Sequence, residues 1–472
     1  MESLTSVVRN EVHVFKLSAA ARVLGASLRG EDVQVSRVTT DSRNIQRGDL
    51  FVAIKGPRFD GHDFIEQASA DGAVAVMISS SSGAERLGVP ALVVDDVRLG
   101  YGRLAAWWRS LFKMPLTAIT GSNDKTTVKE MLAAILRTYA GDDSVLATRG
   151  NLNNDIGVPT MLLQLKPGHR FAVIEMGMNH PGEIAYLSGI AKPDVALVNN
   201  AGTAHIGEVG SVEAIARAKG EIFSGLDASG VAIINADDAF ADYWRSLVTD
   251  KKIVDYGLAR SASVSARYEL SETGSLVTLR MPDMEFAVTL QVPGIHNVKN
   301  ALAAATAAYV LGIPAQNIAE GLHIYMGVAG RLKPHRLLSG DVVIDDTYNA
   351  NPESAQAALS VLGASRGQKV FVLGDMGELG DAAASIHAEL GEFARRAGAD
   401  RLLGLGMMSS EAVRTFGEGG THYDNVEPLV SALRSLLDGS TTVLVKGSRF
   451  MRMERVVKAL TDENVSCAAG GA

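Results

Sequence analysis

Short, nearly all-apolar runs recur along the chain, each followed by a stretch with apolar residues at helical spacing. Leu116-Thr117-Ala118-Ile119-Thr120, Phe171-Ala172-Val173-Ile174, Val195-Ala196-Leu197-Val198 and Val231-Ala232-Ile233-Ile234 are of this kind. A strand with one wet face alternates apolar and polar residues, whereas a run apolar throughout is covered on both sides. Such runs separated by helices imply a mostly parallel sheet between helical layers. The pattern returns in Val342-Val343-Ile344, Val370-Phe371-Val372-Leu373, Leu402-Leu403-Gly404-Leu405 and Val443-Leu444-Val445, with helices expected near 352–362, 385–397, 411–416 and 451–460.

The expected architecture is α/β in three domains. A small N-terminal α/β domain covers 1–112. A central domain of the P-loop type, with a mostly parallel sheet, covers 113–327. A Rossmann-like domain covers 328–472, although no G-x-G-x-x-G fingerprint opens it. Within the central part, hairpins are expected at 261–290 and an alanine-rich helix at 297–311.

Length and charge narrow the class. The 472 residues, 47% hydrophobic and 21% charged, supply several self-sufficient cores and exclude a disordered or fibrous chain. A net charge of −8 argues against coating nucleic acid by charge alone, so no nucleic-acid partner is expected. The single cysteine, Cys467, excludes an intrachain disulfide framework and a cysteine-rich zinc site. Arg9, Glu11, Lys16 and Arg22 interrupt the first apolar stretches, so no secretory core forms. The uncharged span 300–319 contains Gly312, Pro314, Gln316 and Asn317 and reads as a buried helix and a turn, not a membrane span. A cytoplasmic, monomeric protein is expected.

The sharpest chemical signal is Thr120-Gly121-Ser122-Asn123-Asp124-Lys125-Thr126-Thr127, between a strand and a helix. A turn there aims backbone N–H groups and the positive helix end at one point, which suits phosphate. Lys125 would reach the terminal phosphates and the Thr126 hydroxyl would suit Mg²⁺. The same residues also suit an ordinary strand-to-helix turn, because the full G-x-x-x-x-G-K-[ST] pattern is absent. Glu175 and His205 follow two of the buried strands, at the end where open α/β sheets bind ligands. A glutamate and a neutral imidazole there suit a divalent ion. Asp345-Asp346-Thr347-Tyr348-Asn349-Ala350-Asn351-Pro352 crowds more polar groups into one turn than capping requires. Arg331 alone reads as a surface arginine, and Lys219, in Arg217-Ala218-Lys219-Gly220-Glu221, as part of a solvated helix face.

Further segments complete the series. They are Asp41-Ser42-Arg43 with Gly48-Asp49-Leu50-Phe51-Val52-Ala53, then Asp60-Gly61-His62-Asp63-Phe64, 150–159, and Glu175-Met176-Gly177-Met178-Asn179. His296-Asn297-Val298-Lys299-Asn300 and Val445-Lys446-Gly447-Ser448-Arg449 follow. In this order they resemble the Mur ligases, the ATP-dependent amide-forming family of peptidoglycan synthesis. The match is best to members that add D-Ala-D-Ala to UDP-N-acetylmuramoyl-tripeptide (UDP-MurNAc-tripeptide). The alternatives are a sister Mur ligase adding another amino acid, or a folylpolyglutamate synthase. Segment 150–159 and the 345–352 turn argue against both.

The resemblance implies ATP and Mg²⁺ as cofactors, and UDP-MurNAc-tripeptide and D-Ala-D-Ala as substrates. It implies that Gly121, Ser122, Asn123, Asp124, Lys125, Thr126 and Thr127 hold the phosphates, and that Thr126, Glu175, His205 and a carbamylated Lys219 serve the metals. Asn297 would contact adenine. Arg331 would reach the phosphates on domain closure, with Asp346, Tyr348 and Asn349 completing the nucleotide site. Lys125, Lys219, His205 and Arg331 would be catalytic. Asp41, Ser42 and Arg43 would hold the UDP end, and Asn153 and Asn154 would line the tripeptide cleft. One departure stands out: the family carries glycine where this chain has Asp124. A carboxylate about 5 Å from a phosphate charge, at an effective dielectric of about 20, adds repulsion on the order of 3 kcal/mol. ATP binding weakened roughly a hundredfold is therefore expected, and a catalytically silent UDP-MurNAc-peptide-binding protein is the alternative that Asp124 raises.

Overall fold

The computed structural model describes residues 14–80, 87–203, 206–271 and 274–462. His205, Cys467 and residues 1–13 lie outside this set. At the centre is a six-stranded sheet, ordered Lys252–Tyr256, Val231–Asn235, Val195–Val198, Leu116–Thr120, Phe171–Glu175, Val145–Ala147. Every neighbouring pair in it is parallel, as the all-apolar runs require. Alternate residues of each strand serve opposite faces. Ala118, Ile174 and Ala196 join the core under helix Glu183–Ala191, while Ile119, Val173 and Leu197 join that under helix Lys125–Ala140.

Helix Lys125–Ala140 buries Val128, Met131, Leu132, Ile135 and Leu136, an i, i+3, i+4, i+7, i+8 stripe. Each such burial contributes roughly 2 kcal/mol, enough to hold a helix that carries no side-chain N-cap. It stops at Gly141, whose φ of 89° is open to glycine. The alanine-rich helix Ile295–Val310 lies beside it, buried almost all round because methyl groups permit close approach. The antiparallel strands Ser265–Leu270, Ser275–Arg280 and Glu285–Leu290 precede that helix, within the stretch expected to form hairpins. Register puts Glu175 beside Ile119 and Val198 beside Thr120. Three adjacent strands thus deliver the phosphate loop, Glu175 and the loop after Val198 to one edge. Helices leave that edge to opposite faces, which opens a crevice at the carboxyl ends.

The N-terminal sheet runs Ser27–Arg29, Ala91–Val94, Ala75–Ser79, Asp49–Val52, Arg37–Thr39, antiparallel only at its first pair. Its last helix, Val97–Ser110, packs against central helices Gly157–Leu162 and Glu183–Ala191, and one apolar core runs continuously through both parts. Gly102 permits this: a methyl group there would sit 1.8 Å from the Tyr186 hydroxyl. Trp108 Nε1 donates to the Leu165 carbonyl at 3.2 Å, and Arg109 Nε to that of Ala191 at 3.1 Å.

The C-terminal sheet runs Lys333–Arg336, Val342–Asp346, Thr442–Lys446, Lys369–Gly374, Arg401–Leu405, Gly420–Tyr423, with an apolar core on each face. Its first strand is antiparallel, and Pro334 is tolerated there because the strand is an edge. That strand, Gly420–Tyr423 and helix Val426–Leu436 were not expected from the sequence pattern. Among the described residues, no helix is long and apolar enough to cross a membrane.

Candidate active site

A cavity of about 580 Å³ lies between the central and C-terminal parts. Ser122 to Lys125, Glu175, Asn297, Arg331, Asp346, Tyr348 and Asn349 all line it. The residues expected to bind ATP are thus brought together from segments two hundred residues apart in sequence.

The phosphate loop is stitched to the loop after Val198. Ser122 N donates to the Asn200 carbonyl at 3.0 Å, Asn123 N to Asn200 Oδ1 at 2.8 Å, and Gly202 N to Ser122 Oγ at 2.8 Å. Gly121 cannot be enlarged freely, since a Cβ there would lie 3.1 Å from that of Asn199. Asp124 adopts φ 64° and ψ 8°, the left-handed region that favours glycine, and its side chain caps no helix N–H. Lys125 Nζ arches back to the carbonyls of Gly121 (2.6 Å) and Ser122 (3.2 Å). Burial lowers its pKa from the usual lysine value; Glu175 opposes this, Arg331 adds to it, and Asp124 opposes it.

Glu175 is 2% exposed and both its oxygens are engaged. Thr126 Oγ1 donates to Oε2 at 2.9 Å and Asn153 Nδ2 to Oε1 at 2.7 Å. This chain of hydrogen bonds joins the phosphate loop to the cleft segment. Asn154 lines the cavity as well, and its Oδ1 accepts from Gly157 N, at the start of the next helix, at 2.8 Å.

Arg331 is not a surface arginine. Its guanidinium lies 4.1 Å from the centre of the Tyr348 ring and reaches Thr126 Oγ1 at 3.4 Å, so the C-terminal part is closed onto the phosphate loop. The reason is a clamp on its backbone. Asp345 accepts from Gly330 N at 2.8 Å, Asp346 from Leu332 N at 3.2 Å, and Tyr348 N donates to the Gly330 carbonyl at 3.1 Å. Gly330 and Leu332 both have positive φ, so the chain turns sharply on either side of the arginine.

Lys219 is not on a solvated face either. Only 1% exposed, it ends helix Val212–Gly220, which tucks under Trp244, whose indole donates to the Ala216 carbonyl at 2.9 Å. Burial holds the Lys219 pKa well below the usual lysine range, and the charge of Lys125 acts in the same direction. No acid among the described residues acts on it. His205 lies outside the described residues. Asp41, Ser42 and Arg43 stand apart from the cavity, in the turn Ser42–Asn44 that Asp41 caps. Arg43 grips Asp41 through Nε at 2.8 Å and Nη2 at 3.0 Å, and holds that carboxyl down at about 2. Asn297 Nδ2 donates to the Pro293 carbonyl at 2.8 Å.

Several site residues had no role assigned to them by sequence reasoning, although some stood in the quoted segments. Lys446, 2% exposed, donates to Asp346 Oδ2 at 2.5 Å and to the Asn349 carbonyl at 3.0 Å. Only strand order reveals that pair, because Asp346 and Lys446 are neighbours across parallel strands. Glu353 and Asn351 reach across to the central part, and Asn200 braces the phosphate loop. His296 lines the cavity with a buried Nε2 that has no hydrogen-bond partner among the described residues. Burial keeps its pKa below the ordinary histidine value.

Comparison with known proteins places this arrangement. Three family models match in succession: "Mur ligase family, catalytic domain" at 34–106, "Mur ligase middle domain" at 119–308, and "Mur ligase, glutamate ligase domain" at 330–449. The UDP-N-acetylmuramoyl-tripeptide–D-alanyl-D-alanine ligase of Escherichia coli (strain K12) is 43% identical over 455 residues, covering 96% of this chain and 99% of that protein. A crystal structure of MurF from Acinetobacter baumannii superposes with a TM-score of 0.90 at 36% identity, covering 96% of this chain and 99% of that one. MurF from Thermotoga maritima, solved in complex with ADP, gives 0.80 at 29% identity, covering 91% and 98%.

Proposed function

This chain belongs to the Mur ligase family, and from that premise we propose that it joins D-Ala-D-Ala to UDP-MurNAc-tripeptide with conversion of ATP to ADP and phosphate. The observation that carries the reading is the meeting of Arg331 with Thr126, which brings a far domain's cation onto the phosphate loop. A sister ligase and a folylpolyglutamate synthase fit less well, because the likeness to the D-Ala-D-Ala ligases runs end to end.

The three segments divide the work: 1–112 holds the UDP end through Asp41, Ser42 and Arg43, 113–327 holds ATP, and 328–472 brings the dipeptide and completes the nucleotide site. The tripeptide carboxylate, steered past Asn153 and Asn154, attacks the γ-phosphate to give an acyl phosphate. The dipeptide amine then attacks the activated carbonyl, and phosphate leaves the tetrahedral adduct. Lys125 exchanges its two carbonyl acceptors for phosphate oxygens, and Arg331 spreads a second positive charge over the transferring group. Asn297 meets the adenine, and Tyr348, Asn349 and Asp346 close over the nucleotide.

Mg²⁺ fits the donors present. Thr126 Oγ1 and Glu175 Oε2 are hard oxygens facing each other at 2.9 Å, and this ion needs only one or two protein oxygens beside phosphate and water. When bound it neutralises phosphate charge. Lys219, a buried amine whose pKa burial lowers, is suited in its unprotonated form to add to carbon dioxide, releasing a proton and leaving a carbamate. The anion so formed is favoured by the charge of Lys125 and can join His205 at the metals. The protein works as a monomer in the cytoplasm.

Phosphate release at saturating ATP tests the reading. It is expected only with UDP-MurNAc-tripeptide and D-Ala-D-Ala together. Turnover with a single amino acid would select a sister enzyme instead. No turnover with retained nucleotide-sugar binding would select the silent protein.

A further inference from the structure

The C-terminal part touches the nucleotide machinery at a second place, away from Arg331. Glu353, in the first turn of helix Pro352–Gly363, receives two hydrogen bonds from Thr203 of the central part. Thr203 N donates to Oε1 at 2.9 Å and Thr203 Oγ1 to Oε2 at 2.6 Å. Beside it, Asn351 Nδ2 donates to Asn123 Oδ1 at 2.7 Å, and Asn351 also caps the helix.

What these contacts hold is specific. Thr203 follows Gly202 in the loop stitched to the phosphate loop, where Ser122 Oγ accepts from Gly202 N at 2.8 Å and donates to the Gly202 carbonyl at 3.2 Å. Asn123, which Asn351 grips, is itself part of the phosphate loop. A carboxylate taking two donors is a charge-assisted, geometrically demanding pair, stronger than neutral hydrogen bonds. Glu353 lines the cavity with both its oxygens taken by Thr203, so its effect runs through Thr203.

We propose that Glu353 is a positioning residue for phosphoryl transfer: by binding Thr203 it fastens the C-terminal domain shut and fixes the backbone against which the phosphate loop is built. The proposal rests on the reading that this cavity consumes ATP. Closure is otherwise held by Arg331 and Asn351, and by Gly207 N on the Glu378 carbonyl at 3.3 Å. Removing Glu353 therefore shifts the equilibrium between open and closed forms without unfolding either domain.

The test compares Glu353→Ala, Glu353→Gln, Thr203→Val and Glu353→Ala/Thr203→Val, each by steady-state kinetics and by X-ray scattering of the ligand-free protein. Glu353→Ala is expected to lower kcat about 10- to 100-fold, leave the KM for UDP-MurNAc-tripeptide within about twofold, and enlarge the radius of gyration. Glu353→Gln should recover most of the loss, because the threonine hydroxyl can accept from the amide while the backbone N–H still donates. Adding Thr203→Val to Glu353→Ala should cost less than about twofold more, since the shared contact is already gone. Wild-type kcat and radius in Glu353→Ala, or losses that multiply in the double variant, would overturn the proposal. If Glu353→Ala does not fold, Thr203→Val carries the same comparison with its smaller loss. If the wild-type chain shows no turnover at all, the function fails separately while scattering still decides the latch.

Discussion

Asp124 combines two costs at one position. Its left-handed backbone opposes a side chain by about 1 kcal/mol, although aspartate tolerates this region better than most residues. Its carboxylate also stands beside Lys125, at the helix end where phosphate should bind. Lys125 offsets that charge only in part, because before ATP binds its ammonium is turned to the Gly121 and Ser122 carbonyls. Asp124→Gly is therefore expected to tighten ATP roughly a hundredfold and to raise Tm by about a degree. Isothermal titration with ATP and a thermal melt check both, and unchanged affinity would sink the idea that this residue impairs the site. The sequence already exposed the charge problem; the positive φ that makes glycine fit needed the structure.

Among the elements, helix Val212–Gly220 is the most instructive. Arg217, Lys219 and Glu221 gave it the look of a wet face, yet Trp244 and Leu247 close over Gly220 at its end, and Lys219 is buried. Burial of a lysine that no acid among the described residues pairs with costs stability at neutral pH. The unfolded chain binds a proton below about 10.5, whereas the folded chain does not until the pH falls to the lowered folded value. Lys219→Met is accordingly expected to raise Tm in carbon-dioxide-depleted buffer near pH 7 while abolishing ligase turnover. A lowered Tm, or retained turnover, would contradict this. The same contrast explains what could be read in advance. The buried strands, the phosphate loop and the long amphipathic helix were legible because period and composition are local. The edge strand carrying Pro334, the Asp346–Lys446 pair and the grip of Glu353 on Thr203 depend on strand order and domain closure, which no local window contains.

At the scale of the molecule, two parts form one body and the third docks onto it. The N-terminal and central parts share a continuous core. The C-terminal part meets them through polar contacts such as Arg331–Thr126 and Asn351–Asn123, which can be remade on each cycle. That division suits a reaction in which one substrate is activated before another attacks. The measurement that tests it most directly follows oxygen. UDP-MurNAc-tripeptide labelled with ¹⁸O in its terminal carboxylate is turned over with unlabelled ATP, D-Ala-D-Ala and Mg²⁺, and the released phosphate is weighed. Attack of the carboxylate on the γ-phosphate requires one labelled oxygen in each phosphate released. Phosphate without label, released as amide forms, would contradict an acyl phosphate made in this cavity.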